Sequence, residues 1–78
     1  MEKEKVMRYG CVIEKTKKGF SAYVPDLPGC SATGKTKAQI RRRIQEAVAI
    51  HLHSMIEEGD PIPKPTTEFE YMDIQVGS

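Results

Sequence analysis

Residues 19–34, GFSAYVPDLPGCSATG, narrow the choice of fold more than any other part of this 78-residue chain. Phe20, Ala22 and Val24 alternate with Ser21 and Tyr23, the period-two pattern of a strand, and the pattern stops at Pro25-Asp26-Leu27-Pro28-Gly29. Pro25 and Pro28 each fix φ and lack a backbone donor, Asp26 can turn its carboxylate onto nearby N–H groups, and Gly29 permits positive φ. The corner is therefore stiff. A short strand of small residues, Cys30 to Thr33, returns beside the one before it, and Gly34 closes the meander.

The flanking segments complete the layer. Val6 to Glu14 reads as a first strand with Met7, Tyr9, Cys11 and Ile13 on one face, and Lys15-Thr16-Lys17-Lys18-Gly19 as the solvated turn that pairs it antiparallel with the next. Thr36-Lys37-Ala38-Gln39 is a capping box, in which the Thr36 hydroxyl accepts the Gln39 N–H and the Gln39 side chain reaches back. From there Ile40, Ile44, Ala47, Val48, His51, Leu52 and Met55 fall on one helical stripe, opposite Arg42, Glu46, His53 and Glu57. The helix is expected to end near Glu58, because Gly59 suits the C′ position and Asp60-Pro61 blocks continuation. Pro61, Pro63 and Pro65 favour a polyproline-like connector, and Phe69 to Val76 alternates like a fourth strand. The expected fold is α+β: a three-stranded antiparallel meander, one long helix packed on the sheet, then a fourth strand.

Size and charge narrow the function. A domain of this length buries only about 60% of its unfolded surface, so a dimer or larger homo-oligomer is the default expectation. Net charge is +1, with 6% aromatic residues and no Trp, unlike a protein whose whole surface binds polyanions. No apolar run approaches the roughly 20 residues needed to span a bilayer, and Met1-Glu2-Lys3-Glu4-Lys5 lacks a signal-peptide apolar region, so the reading is cytoplasmic and free of membrane. Cys11 and Cys30 read as reduced core thiols, since the chain has no Cys-x-x-Cys or Cys/His metal spacing.

Several of these signals together resemble the HicB antitoxin family in its single-domain form. Tyr9 to Glu14 resembles the family's first strand, and Val24-Pro25-Asp26-Leu27-Pro28-Gly29-Cys30 its signature. Glu46-Ala47 with His51-Leu52 resembles the middle of its helix, and Glu58-Gly59-Asp60-Pro61-Ile62-Pro63-Lys64-Pro65 its proline-rich exit. The resemblance implies a partial ribonuclease H-like fold and an antitoxin that masks a HicA-type toxin, a small ribonuclease acting on messenger RNA. Many relatives carry a C-terminal DNA-binding domain after the exit. Here residues 1–78 are expected to form a single HicB-like domain with no such addition.

Ribonuclease H-like chemistry needs carboxylates converging on divalent metals, and Glu14, Asp26, Glu46 and Asp73 have no spacing that brings them together. No enzyme, metal or cofactor is expected. His51 belongs to the apolar stripe and His53 to the opposite face, neither with a partner at a catalytic spacing. The corner has a structural reading as a connector and a functional one as a pre-ordered docking protrusion, formed by Tyr23, Pro25, Asp26, Leu27, Pro28 and Gly29 with Leu27 as its exposed tip. The other candidate surface is Lys35, Lys37, Arg41, Arg42 and Arg43, basic residues at the helix end where the macrodipole disfavours cations unless an anion is bound. They suit RNA or an acidic partner patch. A stand-alone RNA-binding module and an orphan oligomeric domain are the rival readings to an antitoxin.

Overall fold

The computed structural model describes residues 6–77; the charged start at residues 1–5 lies outside them. Three strands, β1 (Val12–Thr16), β2 (Gly19–Tyr23) and β3 (Ser31–Gly34), form an antiparallel sheet in the order β1-β2-β3, followed by one helix, α1 (Lys37–Glu57). The α+β meander and its helix are thus as the sequence implies. Two elements differ.

The first strand begins at Val12, not at Val6. Thr16 pairs with Gly19 and Val12 with Tyr23, leaving Lys17-Lys18 as a two-residue turn and ending the ladder where β2 gives way to Val24-Pro25. Beyond Tyr23 the chain turns into the corner, so residues 6–11 have no strand to pair with. Gly19 sits at φ +154°, and a Cβ there would collide with the Gly34 carbonyl on the neighbouring strand.

The expected fourth strand, Phe69 to Val76, is the second difference, because these residues join no ladder. Alternation marks a segment able to become a strand, but pairing needs an adjacent edge. This tail does not reach one. The whole molecule measures 59 Å along its longest axis, whereas α1 accounts for only about 31 Å at 1.5 Å per residue. Its radius of gyration, 15.5 Å, exceeds the roughly 12 Å of a compact domain of this length. The tail projects.

Both ends of α1 are closed by local hydrogen bonds. Thr36 accepts the Gln39 N–H at 3.0 Å, and the Gln39 side chain reaches one residue further back than a capping box does, taking the Lys35 N–H at 2.6 Å. At the other end Asp60 N–H donates to Met55 and Gly59 N–H to Ile56, with Gly59 at φ +77°, the pattern of a Schellman motif. The helix lies over β2 and β3. Ile40 and Ile44 are buried, whereas Ala47, Val48, His51, Leu52 and Met55 are only half-buried. A five-residue strand reaches about 17 Å, so the second half of α1 overhangs the sheet.

The core comprises Ala22, Val24, Leu27, Cys30, Ile40 and Ile44. Leu27 is therefore no exposed tip: it is 0% exposed. The corner consists of two successive turns, one closed by Leu27 N–H to the Val24 carbonyl and the next by Cys30 N–H to the Leu27 carbonyl, each at 3.0 Å. Each turn has proline at its second position, and the second has Gly29 at φ +84°, as a type II turn requires. Leu27 is the residue the two turns share. It points inward while Pro25 and Pro28 face solvent.

Leu27→Ala would leave a cavity beneath both turns. The expected loss is about 2–5 kcal/mol, comparable with the whole stability of a small domain. Urea unfolding followed by circular dichroism checks it, and the conservative Leu27→Met is expected to cost under about 1.5 kcal/mol.

Candidate functional site

The proline corner is where distant parts of the chain meet. After Pro65, Thr66 and Thr67 are the first consecutive residues of the connector that both carry a backbone donor. Both aim at Asp26. Thr66 N–H and Thr67 N–H donate to Oδ2, each at 3.1 Å, and their hydroxyls donate to Oδ1 at 3.1 and 2.8 Å. Asp26 thus binds groups 40 residues away, not the adjacent N–H groups that the corner's sequence points to. Tyr9 reinforces the join by donating its hydroxyl to the Pro63 carbonyl at 2.5 Å, and the Phe69 ring occupies the space that a Cβ on Gly10 would take.

Electrostatics follow from these contacts. The Thr67 backbone N–H, followed by its hydroxyl and the Thr66 donors, holds the Asp26 carboxyl below its ordinary range. Burial pushes the Tyr9 phenol up, and the nearby Asp26 charge adds to the shift. Burial likewise raises the thiols of Cys11 and Cys30, which are both unpaired, so neither is a primed nucleophile. Asp26 spends its lone pairs on threonine donors, Glu14 lies on β1, Glu46 faces solvent and Asp73 lies in the tail. Among the described residues no three His, Cys, Asp or Glu side chains are grouped to hold a metal.

Two surfaces remain for recognition. On the sheet face away from α1, the register sets Val12, Tyr23 and Ser31 in one row and Glu14, Ser21 and Thr33 in the next. This face is flat and mostly small, with Tyr23 (44% exposed) at its centre and the exposed Pro25, Pro28 and Gly29 at its rim. Of the docking residues expected from sequence, Tyr23, Pro25, Pro28 and Gly29 are available here, whereas Leu27 is core and Asp26 is occupied.

The second surface is basic. Lys35, Lys37, Arg41, Arg42 and Arg43 are all exposed, and Arg43 Nη1 donates to the Thr33 carbonyl at 3.0 Å, which fixes it at the sheet edge. The turn lysines join this end of the molecule: Lys18 lines one hollow with Lys35 and Arg43, and Lys15 lines another with Lys37. Sequence reading missed that convergence, because the turn and the helix start lie far apart in the chain and only the meander brings them together.

Residues 9–75 match the family described as HicB-like antitoxin of bacterial toxin-antitoxin system. A protein of Haemophilus phage HP1, from its rep-hol intergenic region, is 33% identical over 85% of this chain and 50% of its own length. A UPF0150 protein of Thermoplasma acidophilum is 35% identical over 80% of this chain and 91% of its own. Among solved structures, a chain of the HicA3 and HicB3 toxin-antitoxin complex superposes with a TM-score of 0.66 at 40% identity, covering 77% of this chain and 70% of that one. The HicB3 antitoxin crystal structure gives the same score and identity over 44% of its chain. The chain thus spans half of the phage relative and less than half of that HicB3 chain.

The Asp26 clamp makes stability depend on acid. Its folded pKa lies below the unfolded value of about 3.9, so its contribution is complete above that pH and is lost as pH falls through the folded value. Urea midpoints measured from pH 7 down to pH 2.5 are expected to fall in the acid limb, and the fall to be shallower in Asp26→Asn, which starts from a lower midpoint at pH 7.

Proposed function

This chain belongs to the HicB-like antitoxin family of bacterial toxin-antitoxin systems, and from that premise we propose that it binds and masks a small HicA-type toxin that cleaves messenger RNA. The observation that carries the reading is the 40%-identical likeness to a chain from a toxin-antitoxin complex. In this proposal a single HicB-like domain acts in the cytoplasm, where a messenger RNA target would be, and neutralises by steric cover without chemistry of its own. The Asp26 carboxylate, the one acid in the corner, supports a non-catalytic role because threonine donors already occupy it. We assign the toxin to the flat sheet face. A rigid aromatic such as Tyr23, set among small residues and backed by a stiff corner, offers contact area with little ordering cost.

The test is co-expression with the toxin-sized product of the adjacent gene. The expected result is a complex that survives purification and restores growth, with Tyr23→Ala weakening it by about 1–2 kcal/mol, roughly tenfold, while the helical signal is unchanged. Failure of the two proteins to associate would remove the reading.

The convergence of turn lysines on the helix start favours a second reading, direct RNA contact by Lys15, Lys18, Lys35, Lys37 and Arg43. Its mark is salt-sensitive RNA affinity without a toxin, lost on replacing Lys18, Lys35 and Arg43 by Gln. If the toxin reading holds, the same triple variant mainly slows association with the toxin at low salt.

A further inference from the structure

The tail is an amphipathic strand without a sheet. Met72, Ile74 and Val76 would share one face and Tyr71, Asp73 and Gln75 the other, yet the three apolar residues are 71%, 74% and 85% exposed. Such a segment, held out in water, has an unmet apolar face and unmet backbone donors.

The same molecule has a matching vacancy. β1 is the end strand of the sheet and pairs only with β2. Its inward face is not roofed by α1, which lies over β2 and β3, and Ile13 is left exposed there. Two hollows run between the line of β1 and the flank of α1. One of about 510 Å³ is lined by Ile13, Phe20 and Lys37, and one of about 450 Å³ by Tyr9, Cys11, Val48 and Leu52. A strand laid along the free edge of β1 would turn its apolar face into that trough.

Charge agrees with this fit. The tail carries Glu68, Glu70 and Asp73, and the β1 end of the sheet carries Lys15, Lys17 and Lys18. Cross-strand pairs of opposite sign favour such an addition, and acidic strands set side by side do not.

The tail's own anchors keep it from filling its own trough. Tyr9 holds Pro63, Asp26 holds Thr66 and Thr67, and Phe69 lies on Gly10, so the direction in which residues 71–76 leave the body is fixed. They leave outward.

We propose that residues 71–76 of one copy add as a strand to the free edge of β1 in a second copy, reciprocally, making a strand-exchanged dimer. Each copy gives one strand and receives one, so a two-fold axis closes the assembly and leaves neither tail exposed. The dimer forms from this chain alone, independently of any toxin.

Sedimentation velocity of the full chain at 50 μM, without toxin, tests it. The expected species is twice the 8.8 kDa chain mass, and Ile74→Asp is expected to raise the dimer dissociation constant at least tenfold. Because Ile74 is exposed in the single copy, the helical signal should not change. Isotope-filtered NMR on a mixture of labelled and unlabelled chains should show contacts between the Ile13 methyls and residues 72–76 of the other copy. A monomer at this concentration, a dimer indifferent to Ile74→Asp, or Ile13 contacts confined to one copy would overturn the proposal.

Discussion

The carboxylate of Asp26 accepts four hydrogen bonds from Thr66 and Thr67, and with them it joins the corner between β2 and β3 to the connector that follows α1. A connector with Pro61, Pro63 and Pro65 cannot pair along its length, so it has few ways to be held. The clamp holds it at one point. The corner that carries Asp26 is in turn stiff because Leu27 is locked beneath two turns in the middle of the core. Burial of one leucine thus fixes a carboxylate, and the carboxylate fixes the path of the last part of the chain.

That order of dependence separates the structural work of the corner from its contribution to recognition. Leu27 and Asp26 face inward or toward the connector, while Tyr23, Pro25, Pro28 and Gly29 remain at the surface. A small antitoxin domain benefits from such a division. Its six buried core residues leave little stability in reserve, and a partner that binds a pre-ordered face need not supply ordering energy. The same economy explains the overhanging half of α1 and the uncovered side of β1: apolar surface beyond the reach of this core is left for another chain to cover.

Most of the architecture was legible in the sequence because its signals are local. The Thr36 cap, the Gly59 stop, the apolar stripe beginning at Ile40 and the Pro25 to Gly29 break each act within a few residues, and each stands where the pattern puts it. Misreadings came where a distant neighbour decides. Val6 to Cys11 has strand-like alternation, but β2 is too short to pair with it. Phe69 to Val76 has the alternation too, yet no edge within reach. Leu27 looked like a tip because an apolar residue between prolines gives no sign of its direction; two tandem turns with proline second in each place their shared residue inside. The threonine partners of Asp26 have no local signature at all, since a separation of 40 residues is set only by the finished fold.

Amide hydrogen exchange at Thr66 and Thr67 is the most direct measure of the clamp. These two N–H groups belong to no helix or strand, so protection at either reports its bond to Asp26 and little else. They are expected to exchange on the order of a hundredfold more slowly than the exposed turn amide of Lys18, and to lose that protection together as Asp26 is protonated in acid. Exchange of both at the rate of the Lys18 amide, near neutral pH in a chain whose α1 amides are protected, would contradict the account.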